Sequence, residues 1–415
     1  MFKFWENLIR KKEKKKEKLQ QENIESLVKR FKESPTYPDY PNILLFYQYF
    51  FEKLFTNYIL PQYLEKYIPE RPIILELGSY KSRILELLPE PLKEKIILSD
   101  INLEILKENP EGAKLNFNFD KIPIKENSLP LILGSNVFMH ILGLGDIEEV
   151  LRVLKEDGEA IFIEDLSMYM PALALYYQKK GYKYVYFVYD PSEAKTKCFI
   201  FENEKFLKGE LKQLIKNINL EKAKSELKEN FSEDAVNLFE ELEEAIKEKF
   251  YSVNPFKFSI ILFALTNQVN SEFLKMDEEE RKKAYNLKLG LNNFLISLRN
   301  IFEKYKSKEI KGWEDFLEDV KKDFEAKGIF IEYEPIIIET DLKEIEKWQE
   351  KVLEETDLEL LTRNNPFWKT LREYKNLIIE TLGLEIGYNG EIVSNIEGNL
   401  RYKALIIRIK KEWKR

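Results

Sequence analysis

The residues able to do chemistry in this chain are acids and amides that end short apolar runs. Ile73 to Leu77 is β-branched at its start and ends in Glu76-Leu77-Gly78. Ile96 to Leu98 ends at Ser99-Asp100, Lys114 to Phe119 ends at Asp120, and Leu129 to Leu133 leads into Gly134-Ser135-Asn136. A carboxylate can accept hydrogen bonds from two adjacent hydroxyls. Asp100 stands at about the spacing from the Gly78 turn expected of an acid that grips a ribose. His140, the single histidine, follows the fourth run and is a candidate general base near its natural pKa. One His and one Cys (Cys198) exclude a multi-His metal site, a Ser-His-Asp triad elsewhere and an intramolecular disulfide, so no metal is expected.

These positions demand a particular scaffold. From Arg71 to Asp100 the pattern reads strand, glycine turn, helix, strand, with the crossover length that a parallel pair requires. The alternation continues. Ile101 to Asn109 reads as helix, 114–119 and 129–133 as strands, Ile147 to Leu154 as helix and Ala160 to Ile163 as strand. Pro171 to Lys180 reads as helix capped by Gly181. Tyr182 to Tyr189 and Thr196 to Phe201 then predict an antiparallel hairpin at the sheet edge. The expectation is a doubly wound α/β sheet with ligands at the carboxyl ends of its strands.

Three regions follow. Residues 1–41 hold a charged helix (1–33) and a Pro-rich linker (34–41). Residues 42–203 hold the sheet, with Leu44 to Tyr67 as an aromatic-rich helix covering its start. Residues 204–415 form a C-terminal α-rich α/β domain. There, 204–250 and 277–326 read as helices, as do 342–355 and 366–381. Phe256 to Leu265, Gly328 to Glu332, Ile336 to Ile338, Gly383 to Tyr388 and Tyr402 to Ile409 read as strands. The order of the segments at 258–267, 328–332 and 383–408 echoes that of 129–136, 160–164 and 181–201. That echo suggests a degenerate second half without a ligand loop, alongside a plain mixed domain that caps substrate or self-associates. The Asn-rich loop Thr362 to Lys369 is read as an exposed turn opening a helix, or as a reach toward substrate.

With 33% charged and 44% hydrophobic residues, a folded protein with a sizeable core is expected. The formal net charge of −7 argues against a general nucleic-acid binder. The first turns, Phe2, Phe4, Trp5, Leu8 and Ile9 before Arg10 to Lys16, are a candidate contact for an anionic membrane surface or nucleic-acid backbone, or a docked helix with solvated lysines. No apolar run is long enough to span a membrane, and no signal peptide is evident. Cysteine scarcity points to a reducing, cytoplasmic compartment, and the Lys/Glu/Ile-rich composition to a thermophile.

Four blocks in register resemble the class I S-adenosylmethionine-dependent methyltransferases. They are Glu76 to Ser82, Ser99-Asp100-Ile101, Asp120 to Ser128, and Glu149 to Glu159. The resemblance implies a Rossmann-like fold with an antiparallel edge hairpin, and S-adenosylmethionine as cofactor. It implies that Gly78, Ser79 and Ser82 lie along the methionine part and Glu76 near its amino group. Asp100 and Ile101 would lie at the ribose, Asp120 at the adenine amino group and Asn136 beside the transfer site. The family's second and third glycines are Tyr80 and Ser82 here, so the tyrosine either turns away from the cofactor or fills its place. The expected function is methyl transfer to an unidentified acceptor. The alternative is a methyltransferase fold retained as a non-catalytic binding or scaffold module.

Overall fold

The computed structural model describes residues 49–80, 82–109, 111–165, 170–182, 184–191, 195–202, 209–253, 255–341, 344, 392–394 and 399–411. The N-terminal helix and linker (1–41), the helices expected at 342–355 and 366–381, the 362–369 loop and the strand at 383–388 lie outside these residues.

In chain order, a helical segment leads through a π-helix, Phe55–Leu64, into β1 (Ile74–Leu77). Then come α1 (Arg83–Leu87), α2 (Glu90–Lys93), β2 (Ile96–Asp100), α3 (Leu103–Glu108), β3 (Ala113–Asn116) and β4 (Leu129–Ser135). Next are α4 (Phe138–Leu144), α5 (Ile147–Val153), β5 (Leu154–Asp165), α6 (Met170–Lys179), β6 (Tyr184–Asp190) and β7 (Lys195–Phe201). A helical stretch follows: α7 (Glu210–Lys216), α8 (Leu220–Asn230), α9 (Glu233–Lys247), α10 (Phe250–Val253), α11 (Pro255–Lys275) and α12 (Glu278–Tyr305). Last come β8 (Lys308–Ile310), α13 (Trp313–Ala326), β9 (Ile329–Asp341), β10 (Ile392–Ser394) and β11 (Asn399–Lys411).

Among the described residues the main sheet has eight strands in the order β10-β11-β5-β4-β1-β2-β3, with β9 on the other side of β11. The pairs β1–β2, β1–β4, β2–β3 and β4–β5 are parallel. β11 runs antiparallel to both β5 and β9. This is a doubly wound, Rossmann-like sheet closed by an antiparallel edge. Strand order reverses between β1 and β4, where open α/β sheets bind ligands. Central strands are buried on both faces, which explains why Ile74–Leu77 does not alternate and why even Glu76 within it is buried. One face packs Ile74, Ile96, Leu98, Leu131, Leu133, Ile161, Ile163 and Ile336 against Phe50, Leu54, Phe55, Ile59 and Leu64, as expected of a helix covering the start of the sheet.

The antiparallel edge is built from other strands than expected. β6 and β7 do form the predicted hairpin, but with β8 they make a separate three-stranded sheet. The true edge comes from β9 and β11, with Ala404 opposite Asp165 and Ile336 opposite Ala404. The second-half echo is therefore corrected: its strands at 328–332 and 402–409 fall in β9 and β11 and complete the first sheet rather than begin another. Its supposed first strand is helical too. Within α11, Phe258, Ile261, Leu262, Leu265 and Val269 are buried at intervals of three and four, which is a helix stripe. Alternation and apolar content name an element but not its partner, and a short apolar run does not separate strand from buried helix.

The chain divides into two compact units, and neither boundary falls at 203. One contains Met170–Leu317, where β6 and β7 pack Tyr184, Tyr186, Val188, Phe199 and Phe201 against α7 to α12. The other contains the main sheet, with Glu318 onward joined to the strands before residue 170. In sequence, the first unit is thus an insertion between β5 and the sheet edge. Among the described residues no helix is long and apolar enough to cross a membrane.

Candidate functional site

The turn after β1 is tight. Gly78 has φ +63°, and a Cβ there would lie 2.9 Å from Val137 Cγ2. Both the conformation and the contact require glycine. Tyr80 also sits in the left-handed region at φ +48°, the conformation a glycine takes freely. A glycine at this position would take the same conformation without strain.

Hydrogen bonds tie this turn to the end of β2. Ser79 N–H donates to Ser99 O at 2.8 Å, and Ser99 Oγ donates to Glu76 O at 2.7 Å. Tyr80 N–H donates to Asp100 Oδ2 at 3.0 Å, and Asn102 N–H to Asp100 Oδ1 at 2.8 Å. Ser82 caps α1: its Oγ accepts from Leu85 N–H at 2.9 Å and donates to Glu76 Oε2 at 2.5 Å. Asn109, just past α3, spans the turn. Its Nδ2 donates to Tyr80 O at 2.7 Å, and its Oδ1 accepts from Ser82 N–H at 2.7 Å.

Glu76, Ser79, Ser82 and Asp100 are therefore one connected group, with half-buried Ile101 beside it; Asn116 Nδ2 donates to Ile101 O at 2.9 Å. Glu76 is 2% exposed, and burial pushes its carboxyl up to about 8; the Ser82 hydrogen bond opposes the shift and the Asp100 charge adds to it. Burial also raises the Asp100 carboxyl, against the opposing pull of the N–H groups of Asn102, Tyr80 and Ile101. A carboxylate has about four acceptor positions, so Asp100 keeps some capacity beyond its bonds to Asn102, Tyr80 and Ile101. Ser79 Oγ is buried without a hydrogen-bond partner among the described residues.

The other expected residues are placed less directly. Asn136, at φ +53°, turns the chain after β4 while its N–H donates to Ile163 O at 2.9 Å. Glu164, 3% exposed, caps α4 through Oε1, which accepts from Val137 N–H at 2.8 Å and Phe138 N–H at 2.7 Å. Val137 is the side chain that meets the Gly78 turn, so the ends of β1, β4 and β5 are braced together. His140 lies in the first turn of α4. Burial lowers its pKa to about 4, not the natural value expected from sequence, so it is neutral at pH 7.

Asp120 departs most from expectation. β3 ends at Asn116, and Asp120 is exposed in the following turn rather than at a strand tip. That loop is nonetheless fixed. Arg152 donates from Nη2 to Ile122 O at 2.7 Å and from Nη1 to Ile124 O at 2.9 Å, and Glu149 Oε2 accepts from Ile122 N–H at 2.9 Å. Its neighbour Phe119 reaches toward the Gly78 turn, with Cζ 3.7 Å from where a Gly78 Cβ would sit. Asn109, Glu164 and Arg152 were missed as site residues by sequence reasoning. Only Arg152 carried a signal, since it lies within the Glu149–Glu159 block.

No family model and no curated protein matches the chain. Several solved structures are similar to it. A SAM-dependent methyltransferase from Aquifex aeolicus is 18% identical over 30% of this chain and 81% of its own, with a TM-score of 0.22. A candidate methyltransferase from Bacillus halodurans is 10% identical over 82% of this chain and 92% of its own, with a TM-score of 0.27. The YcgJ protein of Bacillus subtilis is 11% identical over 84% and 98%, with a TM-score of 0.30. The fold assignment rests on the strand order itself.

Proposed function

We propose that this chain is an S-adenosylmethionine-dependent methyltransferase. The observation that carries the reading is the bond that ties the Gly78–Tyr80 turn after β1 to Asp100 at the end of β2, in a parallel sheet closed at its β5 side by antiparallel β11, with β9 beyond it. That closed edge is what the sequence resemblance implies and a plain dinucleotide-binding fold lacks.

The residues present fit the cofactor. The orphaned Ser79 Oγ and the free acceptor capacity of Asp100 call for polar groups from a ligand, and Gly78 leaves no side chain in their way. Asp100 would accept from the ribose hydroxyls and Glu76 would face the amino group. Asp120, on the clamped loop, would meet the adenine side, and Asn136 would border the acceptor. When bound, the cofactor supplies an electrophilic methyl group on a sulfonium, so the reaction needs alignment more than acid–base chemistry. The braced ends of β1, β4 and β5 provide that alignment. His140, uncharged at neutral pH, presents no cation to repel a sulfonium.

Calorimetric titration with S-adenosylmethionine and S-adenosylhomocysteine tests the reading. One saturable site is expected, weakened about tenfold or more by Asp100→Ala, the loss of a charge-assisted pair of hydrogen bonds. Absence of binding at about 1 mM ligand overturns it.

A further inference from the structure

We propose that Asn109 is a positioning residue that holds the Tyr80 peptide in its left-handed turn and thereby shapes the ligand site. In its consequence for ligand affinity this rests on the methyltransferase reading. A non-glycine residue at φ +48° is disfavoured on its own, so the surroundings must hold it there. Two side chains do so. Asp100 takes the Tyr80 N–H, and Asn109, 29 residues away, takes the Tyr80 carbonyl. Asn109 is 5% exposed, and its side-chain hydrogen bonds fit one orientation: Nδ2 faces the carbonyls of Tyr80 and Leu106, while Oδ1 faces the Ser82 N–H. Only an amide offers a donor and an acceptor side by side in this shape. An aspartate would keep the Ser82 bond but set an oxygen against two carbonyls. At Tyr80, Asn109 thus supplies by hydrogen bonding what a glycine supplies by conformational freedom. It also fixes Ser82, whose hydroxyl holds Glu76.

The test is a double-mutant cycle with two readouts. Without ligand, amide hydrogen exchange at Tyr80 and Ser82 should quicken in Asn109→Ala. In Asn109→Asp, which retains the wild-type shape, exchange should quicken at Tyr80 while Ser82 stays protected. In calorimetry with S-adenosylhomocysteine, Asn109→Ala should weaken binding about tenfold, the scale of the left-handed penalty. In a Tyr80→Gly background the same change should cost less than about threefold, because glycine needs no brace. Wild-type exchange and affinity in both Asn109 variants overturn the proposal. So does an equal loss of affinity with and without the Tyr80→Gly change, which marks a merely structural residue. If the wild-type protein binds no S-adenosylhomocysteine while the exchange pattern follows expectation, the methyltransferase reading fails and the brace stands.

Discussion

Replacing Glu76 by glutamine should remove a specific pH dependence of stability. Glu76 is buried, and its carboxyl titrates at about 8 in the folded chain against an ordinary 4.5. Between these values the folded chain holds a proton that the unfolded chain has lost. Stability from this group is therefore full below about 4.5 and falls as pH rises toward 8. The slope is about 1.4 kcal/mol per pH unit, or about 5 kcal/mol across the window, comparable to the whole stability of a marginal domain. Glutamine is neutral at every pH, has the same shape, and keeps an oxygen to accept the Ser82 hydroxyl. Denaturant unfolding of wild type and Glu76→Gln at pH 6 and pH 8 isolates the effect, because groups that do not interact with Glu76 cancel in the difference. Relative to wild type, the variant should gain about 2 kcal/mol between those two pH values. Parallel pH profiles would refute the reasoning and place the Glu76 carboxyl in contact with water.

Gly78→Ala should destabilise the chain by about 1–3 kcal/mol, through the left-handed backbone and the contact with Val137, read as a lower thermal midpoint; an unchanged midpoint would mean that the turn relaxes. Arg152→Met should free the 122–124 loop. About 1 kcal/mol of stability is expected to go, since the guanidinium is 34% exposed, and exchange at the Ile122 amide should rise. Protection of that amide at the wild-type level would show that Glu149 alone suffices.

Much of the sheet was legible because its central strands are buried on both sides. Ile74–Leu77 and Leu129–Ser135 announce themselves as apolar runs, and the acids after them mark the ligand end. The edge was not legible. Lys195–Phe201 and Asn399–Lys411 both carry a run of consecutive buried apolar residues, Cys198 to Phe201 and Ala404 to Ile407, and nothing local says which of them pairs with β5. Pairing is decided by where the intervening helices let the chain return. Asp120 was misplaced because β3, mostly exposed, has too little apolar content to show where it ends. The pKa of His140 was unreadable because burial is a property of the packed α4 rather than of the histidine. Asn109 escaped because an asparagine after a helix is ordinary in sequence; its partners, Tyr80 and Ser82, lie well before it in the chain.

The discontinuous sheet sets an order of assembly. On the ribosome, β5 emerges long before β11, and all of Met170–Leu317 is synthesised between them. Until residue 411 is made, the flank of β5 that β11 will cover presents a row of unpaired backbone groups. Closing it requires contacts between residues as far apart as Asp165 and Ala404, and pairings of such long sequence separation are intrinsically slow to form. The nascent chain is thus most open to strand addition or chaperone capture in the interval between the two strands. A chain arrested before Asn399 should bind a β-aggregation dye that the finished protein ignores.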